Sequence, residues 1–217
     1  MTAHEARALA AAEASDATVI AEVLAGDRTR FAVLVKRYNQ HAFRACRAVL
    51  RNDADAEDAL QIAWLKAYRA LASFRADSSF RTWMTRIAIN EAATRLRQER
   101  KLTAVPVEEM SMKQSESPEG EVFTKELARL LEHEIDELPE GLRTVLVLRD
   151  VVELDTAETA ACLQIAEENV RVRLHRARHA LASRLTTSTL PEVWRFDGDR
   201  CARVLEYVMA RIASDTP

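Results

Sequence analysis

Glycine and proline are scarce in this chain, four and five residues among 217. Turn-dense β architectures draw on both at short intervals, so a β-sandwich or barrel is a poor fit. Cysteine is scarcer still: Cys46, Cys162 and Cys201 lie far apart, with no second cysteine or paired histidine at ligand spacing. That argues against a disulfide framework and against structural zinc. No apolar run approaches the ~20 residues needed to cross a bilayer, and the N-terminus lacks the basic and apolar segments of a signal peptide. The expectation is a cytoplasmic protein without membrane insertion. Catalytic constellations are missing too. The run Asp53 to Asp58 is the sole candidate carboxylate cluster for a hydrolase, and no histidine stands near it. Neither enzymatic activity nor a cofactor or metal is expected.

What the chain does contain is alanine, leucine, arginine and glutamate, all good helix formers. The expected class is all-α. The formal net charge of -3 conceals a partition. Between Leu102 and Gly141, eleven acidic residues face only Lys113, Lys125 and Arg129. From Ala166 to Leu185 the balance reverses, with Arg171, Arg173, Arg176, Arg178 and Arg184 against Glu167 and Glu168. Arg86 to Lys101 is also net basic. Such asymmetry suits nucleic acid at the basic segments, although charge runs of this kind also occur on plain solvated faces.

Periodicity divides the chain. Val19, Ile20, Val23 and Leu24 make a short apolar face ended by Gly26; Phe31, Leu34, Val35, Tyr38, Ala42, Ala45, Cys46 and Val49 predict a longer helix. Asp53 or Asp55 can cap a third, striped by Leu60, Trp64, Tyr68 and Leu71. Ser73 to Ser79 reads as a loop, and Phe80, Trp83, Ile87 and Leu96 mark a fourth helix. Periodicity vanishes from Thr103 to Gly120 and resumes with Phe123, Leu127, Leu130, Leu131 and Ile135. Leu138-Pro139 punctuates that helix, and Leu142, Val145, Leu146 and Leu148 define the next. The organisation is therefore two helical domains, 16–101 and 122–186, around a flexible linker, 102–121, with a short helical extension, 187–217.

Asp155 stands three residues before Glu158, a reciprocal capping arrangement that marks a helix start. Ala157 to Leu163 supplies the helix, Gln164-Ile165 the turn, and Ala166 to Leu185 a second helix. On the second, Val170, Leu174, Ala177 and Leu181 share one face at ~100° per residue, leaving Val172, His175, Arg176 and His179 opposite and Arg171 and Arg173 at the flanks. Such a face can enter a major groove, with Arg176 for guanine and the flanking arginines for phosphate. An arginine-laced helix on any globular surface has the same spacing, so the wheel alone leaves both readings open. His175 and His179 could form half a metal site, but no third ligand is apparent.

Two stretches now resemble one family. Phe74-Arg75-Ala76-Asp77-Ser78-Ser79-Phe80-Arg81-Thr82-Trp83-Met84, continuing Arg86-Ile87-Ala88-Ile89-Asn90, is similar to the second region of extracytoplasmic-function (ECF) sigma factors of the sigma-70 family. So is Asp55-Ala56-Glu57-Asp58-Ala59-Leu60-Gln61 with Trp64 to Tyr68. Leu138-Pro139, Arg149 and Val170 to Arg178 resemble the fourth region. The resemblance implies an alternative sigma factor that brings bacterial core RNA polymerase to promoter DNA and performs no covalent chemistry. It implies that Asp55, Glu57, Asp58 and Gln61 grip the polymerase. Asp77, Ser78, Phe80, Arg86, Asn90, Arg95 and Arg97 would serve the melted −10 element, and Arg171, Val172, Arg173, His175 and Arg176 the −35 element. Trp83 and Ile87 are expected in the core; Phe74 could serve either purpose. Similar sigma factors are often held inactive by an anti-sigma protein covering their polymerase-binding surfaces.

Three departures stand out. Gln164 occupies a turn position usually held by glycine, so either a glutamine adopts positive φ or the turn differs. Glu167-Glu168-Asn169 replaces a more neutral helix start; the acids suit the helix dipole but repel phosphate. Val172 replaces a small polar residue and could meet a thymine methyl. The extension from Leu190 is expected to pack Trp194 and Phe196 onto the second domain, with a regulatory contact as the sharper reading. A stand-alone helix-turn-helix regulator is the rival function.

Overall fold

The computed structural model describes residues 14–102, 122–182, 196 and 198–214. Among them are nine α-helices and no strand, as the composition implied. The predicted linker and Leu190 to Trp194 lie outside the described residues, as do nearly all of the first fifteen residues and the side chains of Phe123 and Leu127.

Helix α1 (Asp16–Leu24) starts where Ser15 Oγ accepts from Thr18 N at 3.2 Å and ends ahead of Gly26, whose φ of 110° only glycine adopts cheaply. Helix α2 (Phe31–Leu50) is the axis of the first domain, and the apolar positions Phe31, Leu34, Val35, Ala42, Ala45, Cys46 and Val49 are all buried. It stops at Arg51, in the left-handed region at φ 60°. Asn52, rather than Asp53 or Asp55, caps α3 (Asp53–Ala70): its Oδ1 accepts from Asp55 N at 3.0 Å. Its extended backbone suits that role, and the two aspartates fall in the first turn, where their charge favours the dipole. Helix α4 (Phe80–Leu102) follows the predicted loop, with Ser79 Oγ accepting from Thr82 N at 3.1 Å.

These helices enclose a core of Phe31, Leu34, Phe43, Leu60, Trp64, Leu71 and Met84. Trp64 crosses Phe31 edge-on with centroids 5.8 Å apart and donates from Nε1 to the buried Asn39 Oδ1 at 2.9 Å. The indole's polar edge is thus satisfied inside the core, where an unpaired donor costs about 1–3 kcal/mol.

The second domain begins with α5 (Val122–Asp136). Pro139 caps α6 (Glu140–Leu146), which widens into a π-turn at Val147–Val151. Helices α7 (Thr156–Leu163) and α8 (Glu167–Ala182) complete it. Val170, Leu174, Ala177 and Leu181 face inward, as the wheel required.

The two domains touch extensively. Helix α2 packs against α6 and the π-turn, and α4 packs against α7. Arg143, 3 % exposed, reaches from α6 into the first domain and donates to Ala48 O at 2.6 Å, Val49 O at 3.4 Å, Asp136 O at 3.1 Å and Leu138 O at 2.9 Å. Burial pulls its pKa down to about 10. Beside it, Arg47 clasps Asp136 through two bonds of 2.9 and 2.6 Å and also donates to Asp53 at 2.7 Å. On the other flank, Thr82 Oγ1 donates to Glu158 at 2.5 Å.

The C-terminal helix α9 (Gly198–Ser214) corrects an expectation: it packs on α2 and α3 of the first domain rather than on the second. Phe196 stacks on Phe43 with centroids 4.1 Å apart, and its N–H donates to Gln40 Oε1 at 2.6 Å. An aromatic ring and a side-chain acceptor, Phe43 and Gln40 Oε1, are presented by α2, which sequence spacing could not reveal. Val204, Val208 and Ile212 are buried beneath the helix, each contributing about 1.5–3 kcal/mol.

Candidate functional site

Helix α3 presents its polar residues on two lines. Asp55 and Asp58, three apart, share one line; Glu57 and Gln61, four apart, share the other. Neither line is unpartnered. Arg95 of α4 donates to Asp55 at 2.7 Å and to Asp58 at 3.2 Å, and also meets Glu99 at 3.4 Å. Burial works against the charge of Arg95, but the two aspartates hold its pKa above that of an isolated arginine. Glu57 is taken from the opposite side by α9: Arg203 Nε lies 3.2 Å away and Arg200 Nε 3.5 Å away. Arg200 also pairs with Asp53 at 2.9 Å and sits over the Phe43 ring, 4.9 Å from its centroid. Asp58 remains the most exposed of the three acids named for polymerase, and Gln61 is half-buried. Arg200 and Arg203 escaped the sequence reading because nothing local links them to residues more than a hundred positions earlier.

The loop before α4 exposes Asp77 and Ser78, with Ala76 at a positive φ of 58°. Phe80 differs from the expectation of a surface for an unstacked base. It is 2 % exposed and lies among Tyr38, Trp64, Phe74 and Trp83 at centroid distances of 5.4 to 6.5 Å. As the first residue of α4 its ring turns into the bundle, where aromatic edge and face contacts retain it. Trp83 is buried as expected, and Phe74 and Ile87 are half-buried. Arg86, Asn90 and Arg97 are exposed along one line of α4 at intervals of four and seven. Arg97 is steadied by Ala93 O at 3.2 Å and Thr94 Oγ1 at 3.1 Å.

The helix-turn-helix forms as its capping signal indicated. Asp155 Oδ1 accepts from Glu158 N at 2.7 Å, and Glu158 Oε2 accepts from Asp155 N at 2.8 Å. Gln164 makes the turn itself, at φ 54° and ψ 44°, so the glycine position is filled by a strained glutamine rather than bypassed. On α8, Val172, His175 and Arg176 are exposed and Arg173 is half-buried beside Gly141. Arg171 is engaged by its own helix start, 2.8 Å from Glu167 and 3.2 Å from Glu168. His175 and His179 stack at 6.5 Å, and no third ligand joins them among the described residues.

Asn90 and Arg173 line a single groove between the domains, together with Glu140, Gly141 and Gln164. One residue expected at −10, Asn90, and one expected at −35, Arg173, are thus brought side by side. No described helix is long and apolar enough to cross a membrane.

The family model for Sigma-70 region 2 matches residues 34–102, and that for Sigma-70, region 4 matches residues 128–181. The chain is 35 % identical over 176 residues to the RNA polymerase sigma-H factor of Pseudomonas aeruginosa, covering 76 % of this chain and 91 % of that one. It is also 35 % identical over 181 residues to the ECF RNA polymerase sigma-E factor of Escherichia coli K12, covering 79 % and 94 %. Among solved structures, CnrH in complex with the cytosolic domain of CnrY aligns with a TM-score of 0.56 at 28 % identity, over 77 % of this chain and 95 % of that one. The sigma factor RpoE in complex with the anti-sigma factor NepR from Bartonella quintana shares the fold at a TM-score of 0.56 and 20 % identity, over 78 % and 99 %. With both regions in order, joined to full-length relatives at this identity, the chain belongs to the sigma-70 family, among its ECF sigma factors.

Proposed function

We propose that this chain directs bacterial core RNA polymerase to a set of promoters, docking through the polar face of α3, taking melted −10 DNA at the loop and outer line of α4, and reading −35 duplex with α8. The observation that carries the docking role is the placement of Asp55, Glu57, Asp58 and Gln61 along one helix. Three of these are carboxylates, and their present partners are all arginines. A surface that already accepts guanidinium groups is suited to a basic helix of another protein. On α4 the exposed Asn90 is available to a base edge and Arg86 and Arg97 to phosphate, while the buried Phe80 supports the loop from beneath. On α8, Arg176 is the exposed arginine suited to a guanine edge.

The stand-alone regulator is set aside, because the chain matches both sigma-70 regions and its relatives are sigma factors. The sigma factor RpoE of Bartonella quintana is held by the anti-sigma factor NepR in its solved complex; a comparable partner for this chain would cover the polymerase-docking face of α3.

Binding to purified core RNA polymerase, wild type against Asp58→Arg, tests the docking role. Reversing the most exposed of these acids is expected to weaken binding about tenfold or more while leaving the helical circular-dichroism spectrum intact. Equal binding by the two would remove α3 from the interface.

A further inference from the structure

We infer that α9 is an internal occupant of the polymerase-docking face, so that the chain's own C-terminal helix competes with core RNA polymerase for α3. The inference rests on the docking role proposed above for the α3 acids, and goes beyond it by naming what stands on that face beforehand.

The contact has both components of a protein interface. Its charged part is Arg200 and Arg203 against Asp53 and Glu57, at 2.9 to 3.5 Å. Glu57 receives both arginines and its side chain is only 13 % exposed, so a partner approaching from solvent cannot pair with it while α9 is seated. The apolar part is the line Val204, Val208 and Ile212, at intervals of four, buried against α2 and α3. Two anchors fix the register. Phe196 stacks on Phe43 beneath the Arg200 guanidinium, and Arg28 donates to Ile212 O at 3.2 Å, pinning the far end. In the first turn of α9, Asn39 donates to Cys201 Sγ at 3.2 Å. A basic amphipathic helix laid on an acidic, apolar groove is the chemistry a polymerase helix would bring to the same place.

A packing extension need not choose this location. Its apolar face could equally cover the second domain, and its arginines could be solvated. Here they neutralise a carboxylate that docking requires. The two contacts are mutually exclusive, so polymerase meets only the fraction of molecules whose α9 has lifted, and its apparent affinity falls by that fraction.

The test measures equilibrium binding to purified bacterial core RNA polymerase for three proteins: the full chain, a chain ending at Thr187, and the full-length double variant Arg200→Glu/Arg203→Glu. The double variant keeps the apolar face of α9, which guards against a truncated chain that merely misfolds. Both altered proteins are expected to bind about tenfold more tightly than the full chain. A synthetic peptide of residues 196–214 is expected to displace polymerase from the truncated chain. Hydrogen exchange supplies an independent readout: amides of α9 protected in the free full chain should lose protection on adding polymerase. Equal affinities for the three proteins, or an α9 that stays protected in the complex, would overturn the inference and leave the docking role standing. Failure of all three folded proteins to bind polymerase would overturn both.

Discussion

Gln164 carries backbone strain that its neighbours impose. The preceding helix ends with the Gln164 N–H bonded to Ala160 O, and the next begins three residues later at Glu167, so the chain must reverse across Gln164 to Ala166. A side chain in the left-handed region costs about 1 kcal/mol relative to glycine. Gln164→Gly is expected to stabilise the protein by about 0.5–1 kcal/mol, part of the gain being offset by the freer unfolded chain; urea denaturation would measure it. His41 is under a different kind of stress. Burial, then the charges of Arg81 and Arg44, lower its pKa below the ordinary 6.5, with Glu153 opposing weakly and Tyr38 packed alongside. Its Nδ1 has no hydrogen-bond partner among the described residues. Because the unfolded chain then binds the proton more readily, stability is full above about pH 6.5 and declines as the pH falls below it. His41→Asn should flatten that decline when denaturation midpoints are compared between pH 7 and pH 5.

The start of α8 sets two acids against the task assigned to the helix. Glu167 and Glu168 suit the dipole and hold Arg171, but each exposed pair contributes little, about 0–1 kcal/mol, and each acid repels phosphate. Glu167→Ala/Glu168→Ala is therefore expected to tighten holoenzyme binding to −35 duplex about fivefold at low salt, the gain shrinking as salt rises. Equal affinity at low salt would show that α8 approaches DNA by another edge. Much of this element was legible beforehand: an i, i+3, i+4 apolar line needs only the helical period, and the Asp155–Glu158 box needs only a three-residue interval. Element ends governed by one side chain were less so, as with Asn52 capping α3 in place of its acidic neighbours. What local spacing could not carry was the meeting of distant surfaces. The burial of Phe80 depends on Trp83 of its own helix and on three rings from three other segments, and the arrival of α9 on the first domain depends on the stacking of Phe196 on Phe43.

The whole molecule is closed. Asn90 and Arg173 share one groove, whereas the −10 and −35 elements lie about 25 base pairs apart, or about 85 Å at 3.4 Å per pair. On the roles proposed for α4 and α8, the domains separate before both elements are read. The Arg47–Asp136 pair is the least exposed charged tie between them among the described residues, with side chains 10 % and 16 % exposed. Asp136→Asn should cost about 3 kcal/mol in urea denaturation, since Arg47 loses a doubly bonded carboxylate at a nearly buried site. It should also raise the radius of gyration measured by small-angle scattering. An unchanged radius would place the tie elsewhere, with Arg143 and its four carbonyls as the next candidate.

The bridge from Arg95 to Asp55 and Asp58 has a consequence for order of assembly. One guanidinium proposed for promoter backbone neutralises two carboxylates proposed for polymerase. While the bridge stands, Arg95 and Asp55 are engaged with each other and Asp58 is partly neutralised. Once the enzyme claims the aspartates, the arginine is released towards the nucleic acid, so the first association primes the second. By linkage the reverse also holds, and DNA that captures Arg95 strengthens the grip on the enzyme by the same factor. On these proposed roles, a free sigma subunit engages promoters more weakly than one whose aspartates a polymerase has taken.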